Sequence, residues 1–99
     1  MQINFHQKHL HLSDHQKDYV SAKLESLTRY KAMLDESVWV KVDVEYGEHV
    51  SSDAKIHMAI NVHVPGADLR AETACLTVEE GIDLIEPKLA QQLEKHKAA

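Results

Sequence analysis

Two stretches of strict alternation constrain this chain more than any other feature. Val38, Val40, Val42, Val44 and Tyr46 alternate with Trp39, Lys41, Asp43 and Glu45, and Ala54, Ile56, Met58, Ile60, Val62 and Val64 alternate with Lys55, His57, Ala59, Asn61 and His63. Successive side chains of a strand point to opposite faces, so each stretch predicts a strand with one apolar and one polar face. A slip of one residue would turn every valine towards water, which fixes the register. The polar run at residues 47–52 supplies a turn, and the two strands are expected to pair as an antiparallel hairpin.

The remaining elements follow from shorter signals. Residues 2–8 alternate with Ile3 and Phe5 on one side, as in a half-buried strand. Ser13 and Gln16 fit a capping box opening a helix near residue 14. Val20, Leu24, Leu27, Met33 and Leu34, with Tyr19 and Tyr30 beside them, extend that helix to about residue 34, where residues 35–37 close it. Pro65-Gly66 marks a turn, and Leu69, Ala71 and Thr73 alternate in a short fourth strand. Thr77 and Glu80 form a second capping box before a helix carrying Val78, Ile82, Ile85, Leu89, Leu93 and His96 on one face. The expected fold is α+β: a two-layer β-α-β-β-β-α sandwich, with a four-stranded, mostly antiparallel sheet and two helices on one of its faces.

With 99 residues, 43% of them hydrophobic, one domain over residues 1–99 is expected. The single cysteine, Cys75, excludes an internal disulfide, and no run is long and apolar enough for a signal or a bilayer span; a soluble, cytoplasmic setting is the expectation. The formal charge of −5 argues against adhesion to phosphate backbones over the whole surface, so any nucleic-acid contact must be a local patch.

The helix faces locate such a patch. Steps of about 100° place Lys23 between Tyr19, Leu27 and Tyr30, inside the apolar arc of the first helix. Its stem can snorkel along the core edge, or its ammonium can line the groove where the two helices meet. In the second helix Lys88, Gln91, Gln92 and Lys95 share one flank, whereas Glu79, Asp83, Glu86 and Glu94 lie on the far side. That segregation suits a phosphate-binding flank, although acids early and bases late in a helix also complement its macrodipole. Trp39 points to the open face of the sheet, where it can stack on a base or pack on Lys41, His57 and neighbouring stems.

Four stretches, in this order, resemble one known family over nearly the whole chain: Met1-Gln-Ile-Asn4; Tyr19-Val-Ser-Ala-Lys-Leu-Glu-Ser-Leu27; Ser52-Asp-Ala54; and Gly81-Ile-Asp83 with Lys88-Leu-Ala-Gln-Gln-Leu-Glu-Lys-His-Lys97. They are similar to the ribosome hibernation-promoting factors and ribosome-associated inhibitors, also called sigma-factor modulation proteins. The chain looks like a short form lacking the extra C-terminal dimerisation domain of longer relatives. The resemblance implies a non-enzymatic bacterial protein without a cofactor, which occupies the small ribosomal subunit near the decoding region and blocks translation in stationary phase or stress. It implies rRNA contacts from Lys23, Lys88, Lys95 and Lys97, with Gln91 and Gln92 where relatives often carry arginine. Val78-Glu79 stands where relatives carry Met-Tyr, Pro87 interrupts the last helix, and the chain is more acidic than its strongly basic relatives. These departures point to weaker RNA binding or a changed partner.

Two other classes compete. A protein-protein adaptor would use the acidic open sheet around Asp43, Glu45 and Glu72. A metal-binding protein is suggested by eight histidines, but His57 and His63 stand roughly 20 Å apart along a strand, and no standard zinc spacing is present; no metal is expected. Neither a nucleophile elbow, a phosphate loop nor a His-Glu-x-x-His helix occurs, so no enzymatic activity is expected.

Overall fold

The alternating stripes pair as their pattern demands. In the computed structural model, which describes residues 1–47 and 54–98, four strands lie side by side in chain order: β1 (Gln2–Lys8), β2 (Trp39–Tyr46), β3 (Ile56–Val64) and β4 (Ala67–Cys75). β1 and β2 are parallel, and β2, β3 and β4 are successively antiparallel. The register aligns Ile3, Val40, Val62 and Leu69 in one row and Phe5, Val42, Ile60 and Ala71 in the next, all on the face covered by helices. Most of the expected turn at 47–52, and Ser52-Asp53, lie outside the described residues.

Helix α1 (Asp14–Glu25) starts at the Ser13 capping box, in which the Ser13 hydroxyl accepts from the Gln16 amide and Gln16 reaches back to the Ser13 amide. Helix α2 (Val78–Ala98) starts with the Thr77 hydroxyl accepting from the Glu80 amide and continues through exposed Pro87. Both helices lie on one side of the sheet, and the core between the layers is apolar throughout among the described residues. Val20, Leu24, Ile82, Ile85 and Leu89 are fully buried there.

The first helix departs from expectation. Instead of continuing to residue 34, the chain leaves α1 after Glu25 and makes two 3-10 turns, Ser26–Arg29 and Lys31–Leu34, with Tyr30 extended between them (φ −91°, ψ 126°). The Ser26 and Thr28 hydroxyls donate to the carbonyls of Lys23 and Glu25, three residues back, drawing the helix end away from regular α geometry. Leu27 and Met33 stay buried, so the apolar spacing survives while the helix does not. Asp35 then accepts from the amide and hydroxyl of Ser37, closing the turn into β2.

At Gly81, α2 packs tightly against β3 and β4. A methyl group there would meet Cys75 Sγ at 2.9 Å and Met58 Sδ at 3.1 Å. Met58 can yield at its flexible end, but Cys75 Sγ sits one bond from its Cβ and cannot. Gly81→Ala gains about 1 kcal/mol of helix propensity but overpacks a full site at about 1–3 kcal/mol. A net loss of stability in urea denaturation is expected, and Cys75→Ala in the same chain should restore it by making room.

Candidate nucleic-acid interface

Where the two helices meet, opposite charges interlock. Lys23 Nζ lies 3.2 Å from Asp83 Oδ1, and the Tyr19 hydroxyl donates to the same oxygen at 2.9 Å. The Lys23 ammonium stands 5.7 Å from the centre of the Tyr19 ring. One turn further along α2, Glu86 Oε1 accepts from both Arg29 terminal nitrogens at 3.3 Å. Lys23 therefore occupies the helix junction that its position in the helix indicated, but its charge is matched by Asp83.

These contacts shift the groups concerned. Hydrogen bonds from Tyr19 and Lys23 hold the Asp83 carboxyl below the usual carboxylate range, and the Asp83 oxygen in turn raises both Tyr19 and Lys23. A lowered folded-state value favours the native state above the unfolded carboxylate pKa of about 3.9, and that contribution disappears as pH falls through the folded value. Asp83→Asn should therefore lower the urea midpoint at pH 6, and the difference from the parent chain should vanish in acid. A difference that persists in acid below the folded value as well, where Asp83 is protonated in both states, would show that the loss is not ionic.

The other flank of α2 meets β4, an edge strand of the sheet. Gln92 Oε1 accepts from the Arg70 amide at 3.2 Å, and Gln92 Nε2 donates to the Arg70 carbonyl at 2.7 Å. The amide side chain thus pairs with β4 as a neighbouring strand would. Lys88 Nζ donates to the Glu72 carbonyl at 3.3 Å. Both residues cover edge groups that would otherwise invite another strand. The structure therefore puts Lys23 and Lys88 on opposite flanks of α2, with Gln91 exposed on the outer surface and Lys95 and Lys97 in the last turn.

Among the described residues Lys8, Lys31, Lys95 and Lys97 are the cationic side chains without an ion pair, hydrogen bond or ring contact. Lys31 and Lys97 line one open groove of about 910 Å³ between the 3-10 turns, the β3–β4 turn and the end of α2. Leu93, Ala32 and Pro65 give it apolar walls, and Tyr30 and His96 line it with rings. His96 Nε2 donates to the Pro65 carbonyl at 3.1 Å, which anchors the imidazole. Gly66 turns the chain beneath it at φ 84°, a left-handed conformation suited to glycine. Sequence reasoning missed Arg29, Tyr30 and Lys31, because a continuous helix to residue 34 would have given them other directions.

The open sheet face is largely paired within itself. Trp39 stacks on His63, with ring centres 5.4 Å apart and planes 9° from parallel. His63 Nδ1 lies 2.6 Å from Asp68. Arg70 bonds both Asn61 and Glu72 at 3.0 Å, His57 stands 3.4 Å from Glu72, and Lys41 is 3.8 Å from Asp43. The carboxylates an adaptor would offer are thus mostly neutralised from within. Among the described residues no three His, Cys, Asp or Glu side chains come together as a metal site, and no helix is long and apolar enough to cross a membrane.

Comparison with known proteins agrees with this architecture. The crystal structure of the Thermus thermophilus Protein Y N-terminal domain is 26% identical and covers 97% of this chain and 99% of its own, with a TM-score of 0.77. A ribosomal subunit interface protein from Coxiella burnetii, 22% identical and covered completely in both directions, shares the fold with a TM-score of 0.79. In sequence, the ribosome hibernation promoting factor of Escherichia coli strain K12 is 31% identical over 97 residues, which is 98% of this chain and 94% of that protein. The model of the family described as sigma 54 modulation protein / S30EA ribosomal protein matches residues 3–99, and the chain belongs to that family.

Proposed function

We propose that residues 1–99 act as one ribosome-binding domain: a cytoplasmic hibernation factor that docks on the rRNA of the small ribosomal subunit and inhibits translation under stress. Family membership and the relatives' names support a ribosome-associated, non-enzymatic role. The observation that carries the finer reading is the distribution of unpaired positive charge. In a chain of net charge −5, three of the four unpaired lysines among the described residues, Lys31, Lys95 and Lys97, lie in or beside the region where α2 ends. Ammonium groups act as point charges on phosphate oxygens, and the rigid two-layer fold supplies the shape that folded RNA is recognised by.

On this reading Lys95 and Lys97 contact rRNA directly, with Gln91 beside them on the outer surface. Lys23, Lys88 and Gln92 reach RNA only by exchanging Asp83, the Glu72 carbonyl and the Arg70 backbone for phosphate or ribose groups. The exposed carbonyl of Glu72 can be re-solvated, so such an exchange is inexpensive for Lys88. The test is a sucrose gradient of the labelled chain with a mixture of separated small and large subunits. Migration with the small subunit is expected; exclusive migration with the large subunit overturns the reading.

A further inference from the structure

We infer that the groove between the 3-10 turns and the end of α2 is a pocket for one unstacked nucleotide of single-stranded RNA, its base against Tyr30 and its phosphates between Lys31 and Lys97. The inference rests on the ribosome-binding reading and adds a base contact to it.

Three observations carry it. First, the groove combines a ring with apolar walls: Tyr30 lines it together with Leu93 and Ala32, and the Arg29 guanidinium already lies 4.9 Å from the Tyr30 ring centre. A base added to this arrangement continues a layer of stacked planar groups, the sequence-tolerant mode by which proteins hold single strands. Second, the cations stand on different elements, Lys31 on the second 3-10 turn and Lys97 on α2, and neither is paired with a carboxylate among the described residues. Two carboxylates, Asp35 and Glu94, share the lining with three cations, Arg29, Lys31 and Lys97; Asp35 accepts from the Ser37 amide and hydroxyl, which fixes its position and leaves its charge. Third, the imidazole of His96 is oriented. The Pro65 carbonyl can only accept, so His96 Nε2 carries the proton, leaving Nδ1 as the ring atom available to a base or ribose hydroxyl. The groove's volume of about 910 Å³ admits a nucleotide with its two flanking phosphates.

A site for a bare anion would need the lysines but not the ring. The experiment is an NMR titration of the full chain with oligouridylate pentamer, and separately with inorganic phosphate, in the parent and in Tyr30→Leu, Tyr30→Phe and Lys31→Gln variants. The expected result is a shift of the Tyr30 and His96 ring resonances by the oligonucleotide. Its affinity should fall at least about fivefold in Tyr30→Leu and in Lys31→Gln, and should be retained in Tyr30→Phe. Tyr30 is half-buried, so the exposed Lys31 variant carries the test if Tyr30→Leu unfolds. Equal shifts from phosphate alone, with no effect of removing the ring, overturn the inference in favour of an anion site. Oligonucleotide shifts confined to other surfaces, or none, also overturn it. Sedimentation of the same variants with small subunits separates this failure from failure of the ribosome reading, since the subunit is then still bound.

Discussion

Replacing Lys31, Lys95 and Lys97 together by glutamate should reduce affinity for small ribosomal subunits by at least about a hundredfold at physiological salt. Removing one lysine–phosphate pair costs roughly fivefold through the counterions that are no longer released, and the introduced carboxylates add repulsion. All three side chains are exposed and unpaired among the described residues, so the fold has little reason to respond. The control is a charge change of the same kind on the sheet side, Lys8→Glu with Lys41→Glu, which should leave binding within about threefold because those sites lie away from the proposed contact. Equilibrium binding to fluorescently labelled subunits, with a thermal melt of each variant, checks both halves of the expectation.

The second large effect concerns the core. Leu89 is fully buried on the inner face of α2, in the apolar layer that joins this helix to the sheet. Leu89→Ala removes three carbons from a site walled by regular elements that cannot easily collapse, and should cost about 2–5 kcal/mol. For a domain of this size each kcal/mol lowers the melting temperature by about 4–8 °C, so a drop of about 10 °C or more is expected. A drop of only a few degrees would mean that α2 settles onto the sheet after truncation, and that its position, on which the interface depends, is softer than the packing implies.

The fold was largely legible because its sheet is built from valines and isoleucines at period two. Which face of each strand is buried could be read from the residues alone, since a slip of one residue would expose the valines, whereas the pairing that sets Ile3, Val40, Val62 and Leu69 in one row depends on contacts between strands. Both helix starts were legible for a similarly local reason: a hydroxyl three residues before the amide that donates to it is a short-range device. The end of α1 was not, because Leu27 and Met33 keep helical spacing even though the backbone between them unwinds. The signal for that break was the pair of hydroxyls at Ser26 and Thr28, which compete for helix carbonyls.

The interface was legible only in part. Placement on a helical wheel put Lys23 at the helix junction and Lys88 with Gln92 on one flank of α2, as the structure has them. What it could not supply was their partners, because Asp83 and the Arg70 backbone are far from Lys23 and Gln92 in the chain, the latter pair by 22 residues. Those long-range contacts divide the lysines into paired and unpaired sets, and three of the four unpaired ones among the described residues, Lys31, Lys95 and Lys97, lie near the end of α2, where sequence reasoning had placed only Lys95 and Lys97. Glu79 poses the same kind of problem: its Oε1 is buried without a hydrogen-bond partner among the described residues.

The most direct test of the central claim is co-sedimentation of the chain with purified small subunits across a salt series. Stoichiometric binding is expected at about 50 mM salt, with log affinity falling against log salt at a slope of about −2 to −4, as a few lysine–phosphate contacts require. Absence of binding at the lowest salt, or binding whose strength does not change with salt, would contradict it.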